Sequence, residues 1–452
     1  MRFLASEFAH AALGRLVGPD AHVDGATQDS RSVQPGQLFV PIVAERDGHE
    51  FIPQAFAAGA AATLSSRPAH ALGHEGSGRA VIEVDDTLDA LASLGRAARA
   101  RLGDRVVGIT GSVGKTSTKD LCAAVLRTRF VTAAAERSFN NEIGVPLTLL
   151  NAPEGAEAAV VEMGARGIGH IAALASIAQP TVGIVTCVGA GAHLELFGTL
   201  AKVAEGKGEL IESLPAHGTA VLNADDPLVR AMASRASANV VTFGEDGDVR
   251  ALDVELDDGA RARFRLCTPW GEVDVALRVA GRHMVANAAA AATAALACGL
   301  DIEAVAEGLA TATLSPWRME LARSRAGAVV INDAYNANPM SMTAALDSLR
   351  HLARARAVAV LGLMAELGDS TVEAHRAVAE EATRHGVELI AVGTDLYGVE
   401  PRSLEEAYAL LGSLGEGDAV LVKGSRVAGL EALAARLLDG GHEAVTSSQR
   451  RP

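Results

Sequence analysis

Short apolar runs alternate with amphipathic stretches over most of this chain, and each run stops at a glycine or polar turn. VVGIT (106–110) ends at a Gly-rich turn, and KTSTKDLCAAVLRTR (115–129) then carries apolar residues at helical spacing. AAVVEM (158–163), TVGIVTCV (181–188), TAVLN (219–223) and NVVTF (239–243) read as buried strands with helix-like segments between several of them. That alternation predicts a mainly parallel α/β sheet. Residues 248–280 predict shorter antiparallel strands, and 283–299 an Ala-rich helix.

The segment LSPWRMEL (314–321) interrupts the pattern, which then restarts. Strands are predicted at 328–333, 357–362, 388–393 and 419–424, and helices from about 341 and at 373–385, 403–411 and 427–438. This is a second, doubly wound α/β unit. Residues 1–84 have another texture, mixing short strands and Gly turns (QPGQLFVPI, 34–42) with the Ala-rich QAFAAGAAATLSS (54–66). TLDALASLGRAARARL (87–102) predicts a connecting helix. The expected organisation is α/β in three domains: a mixed α/β N-terminal domain (1–84), a central parallel-sheet domain (85–313) and a C-terminal Rossmann-like domain (314–452). The last residues, VTSSQRRP, are expected to be disordered.

A length of 452 residues accommodates about three domains of ~150 residues. The formal net charge of -15 is a poor footprint for general nucleic-acid or anionic-membrane binding, both of which need basic surface. It leaves room for an anionic substrate held by a few local donors. The four cysteines lie 65, 80 and 31 residues apart, so neither a disulfide framework nor a zinc site is suggested. The opening MRFLASEFAHAALGRL has no signal-peptide apolar region, so a cytoplasmic protein with reduced thiols and no stable membrane insertion is expected. Only five of the 40 basic residues are lysines, at 115, 119, 202, 207 and 423.

GITGSVGKTSTK (108–119) follows an apolar strand and opens a helix, the context of a phosphate loop. Gly111 and Gly114 let backbone N–H groups turn onto phosphate oxygens, Lys115 supplies a compact positive charge, and the Thr116 hydroxyl can ligate Mg²⁺. Ile109 stands where a strict phosphate loop has its first glycine. No lysine is followed two residues later by Asp, which disfavours a GTPase; a small-molecule kinase stays open on this motif alone. Glu162 closes the strand AAVVE, and His193 follows the strand TVGIVTCVG. Both lie where ligands gather on a parallel sheet, and each could hold a metal ion near phosphates; a paired strand-end carboxylate and an ordinary loop histidine are the plain alternatives.

The segments TGSVGKTST, VVEMGARG, AHLELFGTLAKVAEGKGE, GRHMVAN, SPWRME, DAYNANP and VKGSR occur in that order. The set closely resembles the Mur ligases, ATP-dependent amide-forming enzymes of peptidoglycan precursor synthesis. The resemblance spans nearly the whole chain and includes TQDSRSVQPGQLFVPI (27–42) and ERDGHEFI (45–52). SFNNEIGVPLTLL (138–150), DAYNANPMSM (333–342) and LGLMAELGD (361–369) resemble the members that join D-Ala-D-Ala to UDP-N-acetylmuramoyl-tripeptide.

The resemblance implies an N-terminal domain for the UDP-sugar, a central ATPase, and a C-terminal domain for the incoming dipeptide, in an enzyme expected to be a monomer. It implies ATP held by Gly111, Ser112, Val113, Gly114, Lys115, Thr116 and Ser117, with Asn287 on adenine, Asp333 on ribose and Arg318 on the γ-phosphate. It implies two Mg²⁺ ions, one with Thr116 and Glu162, the other with His193 and a CO₂-derived carbamate on Lys207. A lysine suits that chemistry because its neutral amine adds CO₂, whereas a guanidinium stays charged. Catalytic roles fall to Lys115, Lys207, His193 and Arg318. Ser30, Arg31, Asn140 and Asn141 fit contacts to the UDP-muramoyl substrate, Asn336 and Asn338 line the DAYNANP loop, and Lys423 and Arg426 face the dipeptide. Met284 stands where the wider family has Asn, and Leu363 where related ligases have Asp, although Glu366 is kept. Lys119 and Lys202 are expected on solvated helix faces. A folylpolyglutamate synthase, the ligase adding the third residue, and a nucleotide-gated binding module without ligase activity are the competing readings.

Overall fold

A computed structural model of the chain describes residues 1–72, 78–135, 138–189 and 194–439. The central domain is built on the strand Arg105–Thr110, whose Val106, Val107 and Ile109 are fully buried. β-Branched residues suit such a strand, which is covered on both faces. Six parallel strands run in the spatial order Asn239–Phe243, Thr219–Asn223, Val182–Val185, Arg105–Thr110, Ala158–Glu162, Thr132–Ala134. The chain leaves the middle strand for one edge, returns, and then crosses to the other side, so the carboxyl end of Arg105–Thr110 lies at the switch of strand order.

Alternate residues of the middle strand enter different cores. Val107 and Ile109 pack with the helices Lys115–Leu126 and Met284–Ala297, and Val106 with Gly144–Leu150, His170–Ala178 and Leu200–Glu212. The run of alanines in Met284–Ala297 is buried along its length, and the small side chains let that helix lie close against the phosphate-loop helix. The connecting helix Thr87–Arg99 is capped by Asp86, whose side chain accepts from Leu88 N–H and Asp89 N–H. It packs on the central helices, and a Cβ at Gly95 would sit 2.6 Å from Pro146 Cβ. Residues 248–280 form the expected antiparallel strands Arg250–Leu256, Arg261–Thr268 and Gly271–Ala280.

The C-terminal sheet has the order Glu320–Arg323, Val329–Asn332, Ala419–Lys423, Ala357–Leu361, Glu388–Ala391, parallel except for its first strand. That antiparallel strand begins at the end of LSPWRMEL, with Glu320 and Leu321, where the preceding proline and turn residues obscure its start, and runs on through Ala322 and Arg323. The N-terminal sheet runs Arg15–Val17, Ala80–Glu83, Ala62–Ser65, Leu38–Phe39, Ala26–Thr27, with only the first pairing antiparallel. The last expected helix starts later than the spacing predicts, at Glu431, because Gly429 takes a left-handed φ of +61° after a short 3-10 turn. The described cysteines are all free, and no described helix is long and apolar enough to cross a membrane.

One buried histidine ties the strand-end loop 362–366 in place. Met364 N–H donates to His375 Nε2 (2.9 Å), and His375 Nδ1 donates to Thr371 O (2.6 Å). Tyr397 packs edge-on at 4.8 Å and donates to Gly362 O. This arrangement uses the neutral ring, and burial holds its protonation below the ordinary histidine value. A basic group whose folded value is depressed contributes stability that is complete above its unfolded value, about 6.5, and is lost as pH falls below it. The thermal midpoint is therefore expected to fall between about pH 8 and about pH 5.5, and to fall less in a His375→Gln variant. Equal falls in the two proteins would remove His375 from the account.

Candidate active site

The turn after Arg105–Thr110 is held by the neighbouring strand. Ser112 N–H donates to Cys187 O (2.8 Å), and Thr186 Oγ1 donates to Val113 O (2.5 Å). Gly111 (φ +150°) and Gly114 (φ +84°) are required here: a Cβ would meet Thr186 Oγ1 at 1.9 Å and Asn287 Oδ1 at 2.6 Å. Gly114 then opens the helix Lys115–Leu126, so free backbone N–H groups and the positive end of the helix dipole gather at the turn. Lys115 Nζ folds back to donate to Gly111 O (2.8 Å) and Ser112 O (3.4 Å). Burial lowers its pKa, opposed by the charge of Glu162.

At the second residue of the helix, Thr116 Oγ1 lies 2.7 Å from Glu162 Oε2 and 2.9 Å from Ser138 Oγ. Asn140 Nδ2 donates to the other oxygen of Glu162 (2.8 Å). Ser138 in turn accepts from Arg318 Nη2 (3.0 Å), and the Arg318 guanidinium lies 4.3 Å over the Tyr335 ring. A polar chain therefore links the phosphate-loop helix to the C-terminal domain. Lys207 closes the cleft from the helix Leu200–Glu212. Burial first, and the charge of Lys115 second, push its ammonium down to about 7. Gly206 and Gly208 flank it in mid-helix, at about 1 kcal/mol each relative to alanine. They admit neighbours: a Cβ at Gly206 would meet Phe197 at 2.8 Å, and one at Gly208 would meet Arg235 Nη1 at 1.8 Å.

The C-terminal domain supplies the facing wall. Asp333 accepts from Met319 N–H (3.0 Å) and from Lys423 Nζ (2.5 Å), which also donates to Asn336 O. Trp317 (φ +61°), Met319 (φ +47°) and Glu366 (φ +67°) are all left-handed. Such strain costs of order 1–3 kcal/mol per residue and persists only where the surroundings impose it. Two of these residues flank Arg318. The cleft between the domains measures about 420 Å³ and is lined by the phosphate loop, Glu162, Lys207, Asn287, Arg318, Asp333 and Glu366 among others.

The expected residues are therefore only partly brought together. Ser112, Val113, Gly114, Lys115, Thr116, Ser117, Asn140, Asn141, Glu162, Lys207, Asn287, Arg318, Asp333, Asn336, Asn338 and Lys423 line this cleft; Gly111 is outside the lining, its carbonyl accepting from Lys115. His193 lies outside the described residues. Ser30 and Arg31 lie apart in the N-terminal domain, Ser30 donating to Gln54 Oε1 (3.2 Å) and Arg31 paired with Asp29 (2.9 Å).

Several side chains serve the protein where a free substrate contact was expected. Asn338 caps the helix Pro339–Leu352, accepting from Ser341 N–H, and Asn141 accepts from Gly144 N–H at the start of another helix. Lys423 is 2% exposed and committed to Asp333, so it orients that carboxylate and is not a free cation for the dipeptide. Arg426 pairs with Glu431 (3.2 Å), lies 4.1 Å over Trp317 and does not line the cleft. Lys119, expected in solvent, is fully buried beside Asp120 (2.9 Å), with its ammonium donating to Ala135 O past the end of the edge strand Thr132–Ala134. Lys202 is exposed, as expected. Ser138 and Asp120 escaped sequence reasoning; their polar neighbours in SFNN and KTSTKD were the available signal.

The residues fit a nucleotide and its metal. Among the described residues, Arg318 Nε and His283 Nδ1 are buried without a hydrogen-bond partner at the cleft, donor and ring nitrogen in want of a ligand. Burial pushes His283 down to about 4, so its ring is neutral. The hydroxyl of Thr116 and the carboxylate of Glu162 form a hard-oxygen pair suited to Mg²⁺. Fold and site together define a phosphate-loop enzyme that works in a cleft between two α/β domains. Residues 109–295 match the family described as the Mur ligase middle domain, and 317–426 match the Mur ligase glutamate ligase domain. The chain belongs to the Mur ligase family of ATP-dependent ligases.

A relative from Mycobacterium tuberculosis (strain ATCC 25618 / H37Rv), named UDP-N-acetylmuramoyl-tripeptide–D-alanyl-D-alanine ligase, is 42% identical over 91% of each chain. A solved structure of MurF from Acinetobacter baumannii superposes with a TM-score of 0.86 at 31% identity, covering 97% of this chain and 99% of that one. The MurF ligase from Thermotoga maritima, solved in complex with ADP, gives 0.78 at 28% identity, covering 92% and 97%.

Proposed function

We propose that this protein joins D-Ala-D-Ala to the terminal carboxylate of UDP-N-acetylmuramoyl-tripeptide at the expense of ATP, producing the UDP-muramoyl-pentapeptide of peptidoglycan synthesis. The observation that carries this reading is the identity to ligases of that name over nine-tenths of the chain. A carboxylate is a poor electrophile, so the reaction needs it activated. Its oxygen attacks the γ-phosphorus of ATP in line, ADP leaves, and an acyl phosphate forms. The dipeptide amine then adds to the acyl carbon, and inorganic phosphate departs as the amide forms and the amine proton is lost.

Lys115 would exchange its contacts with Gly111 O and Ser112 O for phosphate oxygens, and the N–H groups of residues 111–116 would cradle the chain. Arg318, with a free Nε, would meet the transferring phosphoryl group. Asn287 lies against Gly114, in reach of a base seated on the loop. Mg²⁺, when bound, would neutralise phosphate charge. Thr116 and Glu162 would hold one ion, and His193 with carbamylated Lys207 the other. A buried amine near 7 is substantially neutral at cellular pH and can add CO₂ with loss of a proton. Domains 1–84 and 314–452 would bind the UDP-sugar and the dipeptide, with Ser30 and Arg31 on the UDP side. The protein would act in the cytoplasm as a monomer, with no nucleic-acid partner.

The test is ADP release with UDP-N-acetylmuramoyl-tripeptide and Mg²⁺. D-Ala-D-Ala is expected to support turnover, with single amino acids and glutamate at under about a hundredth of that rate, in line with discrimination by buried polar contacts. Equal turnover with glutamate would support a folylpolyglutamate-type ligase instead.

A further inference from the structure

Arg318 reaches the phosphate site from the segment joining the two α/β domains, and that segment is held from both sides. On the central side, Asp120 Oδ2 accepts from Ser315 N–H (2.7 Å) and Asp120 Oδ1 from Ser315 Oγ (3.1 Å). Asp120 lies on the phosphate-loop helix, five residues from Lys115. It is paired with the fully buried Lys119, whose Nζ also donates to Ala135 O. On the C-terminal side, Met319 N–H donates to Asp333 Oδ1 (3.0 Å) and Tyr335 N–H to Trp317 O (3.3 Å). Between the anchors lie the left-handed Trp317 and Met319, with Arg318 between them.

A buried ion pair is a poor way to gain stability, since its desolvation offsets much of its attraction; its use is to specify one geometry. We propose that Asp120 is a positioning residue: it keys the linker to the helix that carries Lys115 and Thr116, so that Arg318 keeps register with the phosphate loop while the C-terminal domain turns about Pro316–Met319. This rests on the ligase reading above. Nucleotide binding comes from the loop itself and survives loss of the key; placement of Arg318 does not, and a misplacement of about 1 Å can cost on the order of a hundredfold in rate.

The experiment compares full-length wild type, Asp120→Ala and the shape-preserving Asp120→Asn, each with and without Arg318→Ala. With Asp120→Ala, kcat is expected to fall about ten- to a hundredfold while KM for ATP stays within about threefold. Asp120→Asn, which keeps an oxygen for Ser315 N–H, is expected to fall between. In the Arg318→Ala background the Asp120 effect is expected to vanish, because the residue acts through Arg318. Fully multiplying penalties, or unchanged kcat, would overturn the proposal. A second readout needs no turnover: with Trp270→Phe, Trp317 is the only tryptophan left, and its fluorescence anisotropy is expected to drop when Asp120 is replaced. Unchanged anisotropy counts against the hinge key. Wild type inactive with D-Ala-D-Ala but with the anisotropy drop present would sink the ligase reading and keep the key.

Discussion

Lys115→Met is expected to lower ATP-dependent turnover at least about a thousandfold, equivalent to about 4 kcal/mol of transition-state stabilisation, without lowering the melting temperature. The ammonium is half-buried, rests on two carbonyl oxygens, and has no paired carboxylate among the described residues. In the absence of phosphate it is a charge held out of water with modest compensation, so an apolar chain of similar length relieves the fold. In its presence it is the only compact cation of the loop. Lys115→Arg is expected to be nearly as inactive, because the planar fork does not fit where Nζ reaches back between Gly111 O and Ser112 O. ADP release and nucleotide affinity, with thermal melting as a control on folding, check this. More than a tenth of wild-type turnover in Lys115→Met would take the phosphate role from this residue.

How much of this site was legible depends on how far apart its partners lie in the chain. The phosphate loop is local: its glycines, Lys115 and Thr116 follow a strand and open a helix, so a sequence pattern contains the geometry. The parallel sheets were legible for the same reason, as apolar runs such as AVLVKG and VVGIT need no distant information. The link Thr116–Ser138–Arg318 is not local, since its last bond joins residues 180 apart. Lys119 illustrates the opposite failure. In KTSTKD it has the look of a solvent-facing lysine, and only its bond to Ala135 O, made once the chain has folded, reveals a buried side chain. Lys423 fails similarly: its strand VLVKG is plain, but its commitment to Asp333 is a cross-strand matter. Asn338 was ambiguous because Asn-Pro serves turns, caps and substrate contacts with the same atoms, and here it caps.

Lys207→Ala is expected to abolish ligation to the same degree, by a different route. Lys207 sits fully buried in a mid-helix turn bracketed by two glycines that cost helix stability, beside Arg235. Arg235 donates to Ala204 O (3.2 Å) and Glu205 O (2.9 Å) and fixes that turn. Such investment is unnecessary for a lysine that merely packs, where leucine or methionine would be preferred. It is explained if the side chain is converted to a carbamate, an anion that balances a cation beside the phosphates. Lys207→Arg is then expected to be as inactive as Lys207→Ala, since a guanidinium cannot add CO₂, whereas a role as a plain cation would be kept in part by arginine and lost in alanine. The direct readout is ¹³C NMR in ¹³CO₂-equilibrated buffer, where wild type is expected to show one protein-bound carbamate resonance that the Lys207→Ala protein lacks. Full turnover in Lys207→Ala, or the same resonance in both proteins, would exclude the carbamate. Lost turnover with no resonance in either would leave Lys207 essential as a neutral or charged amine, and would move the second metal site to other ligands.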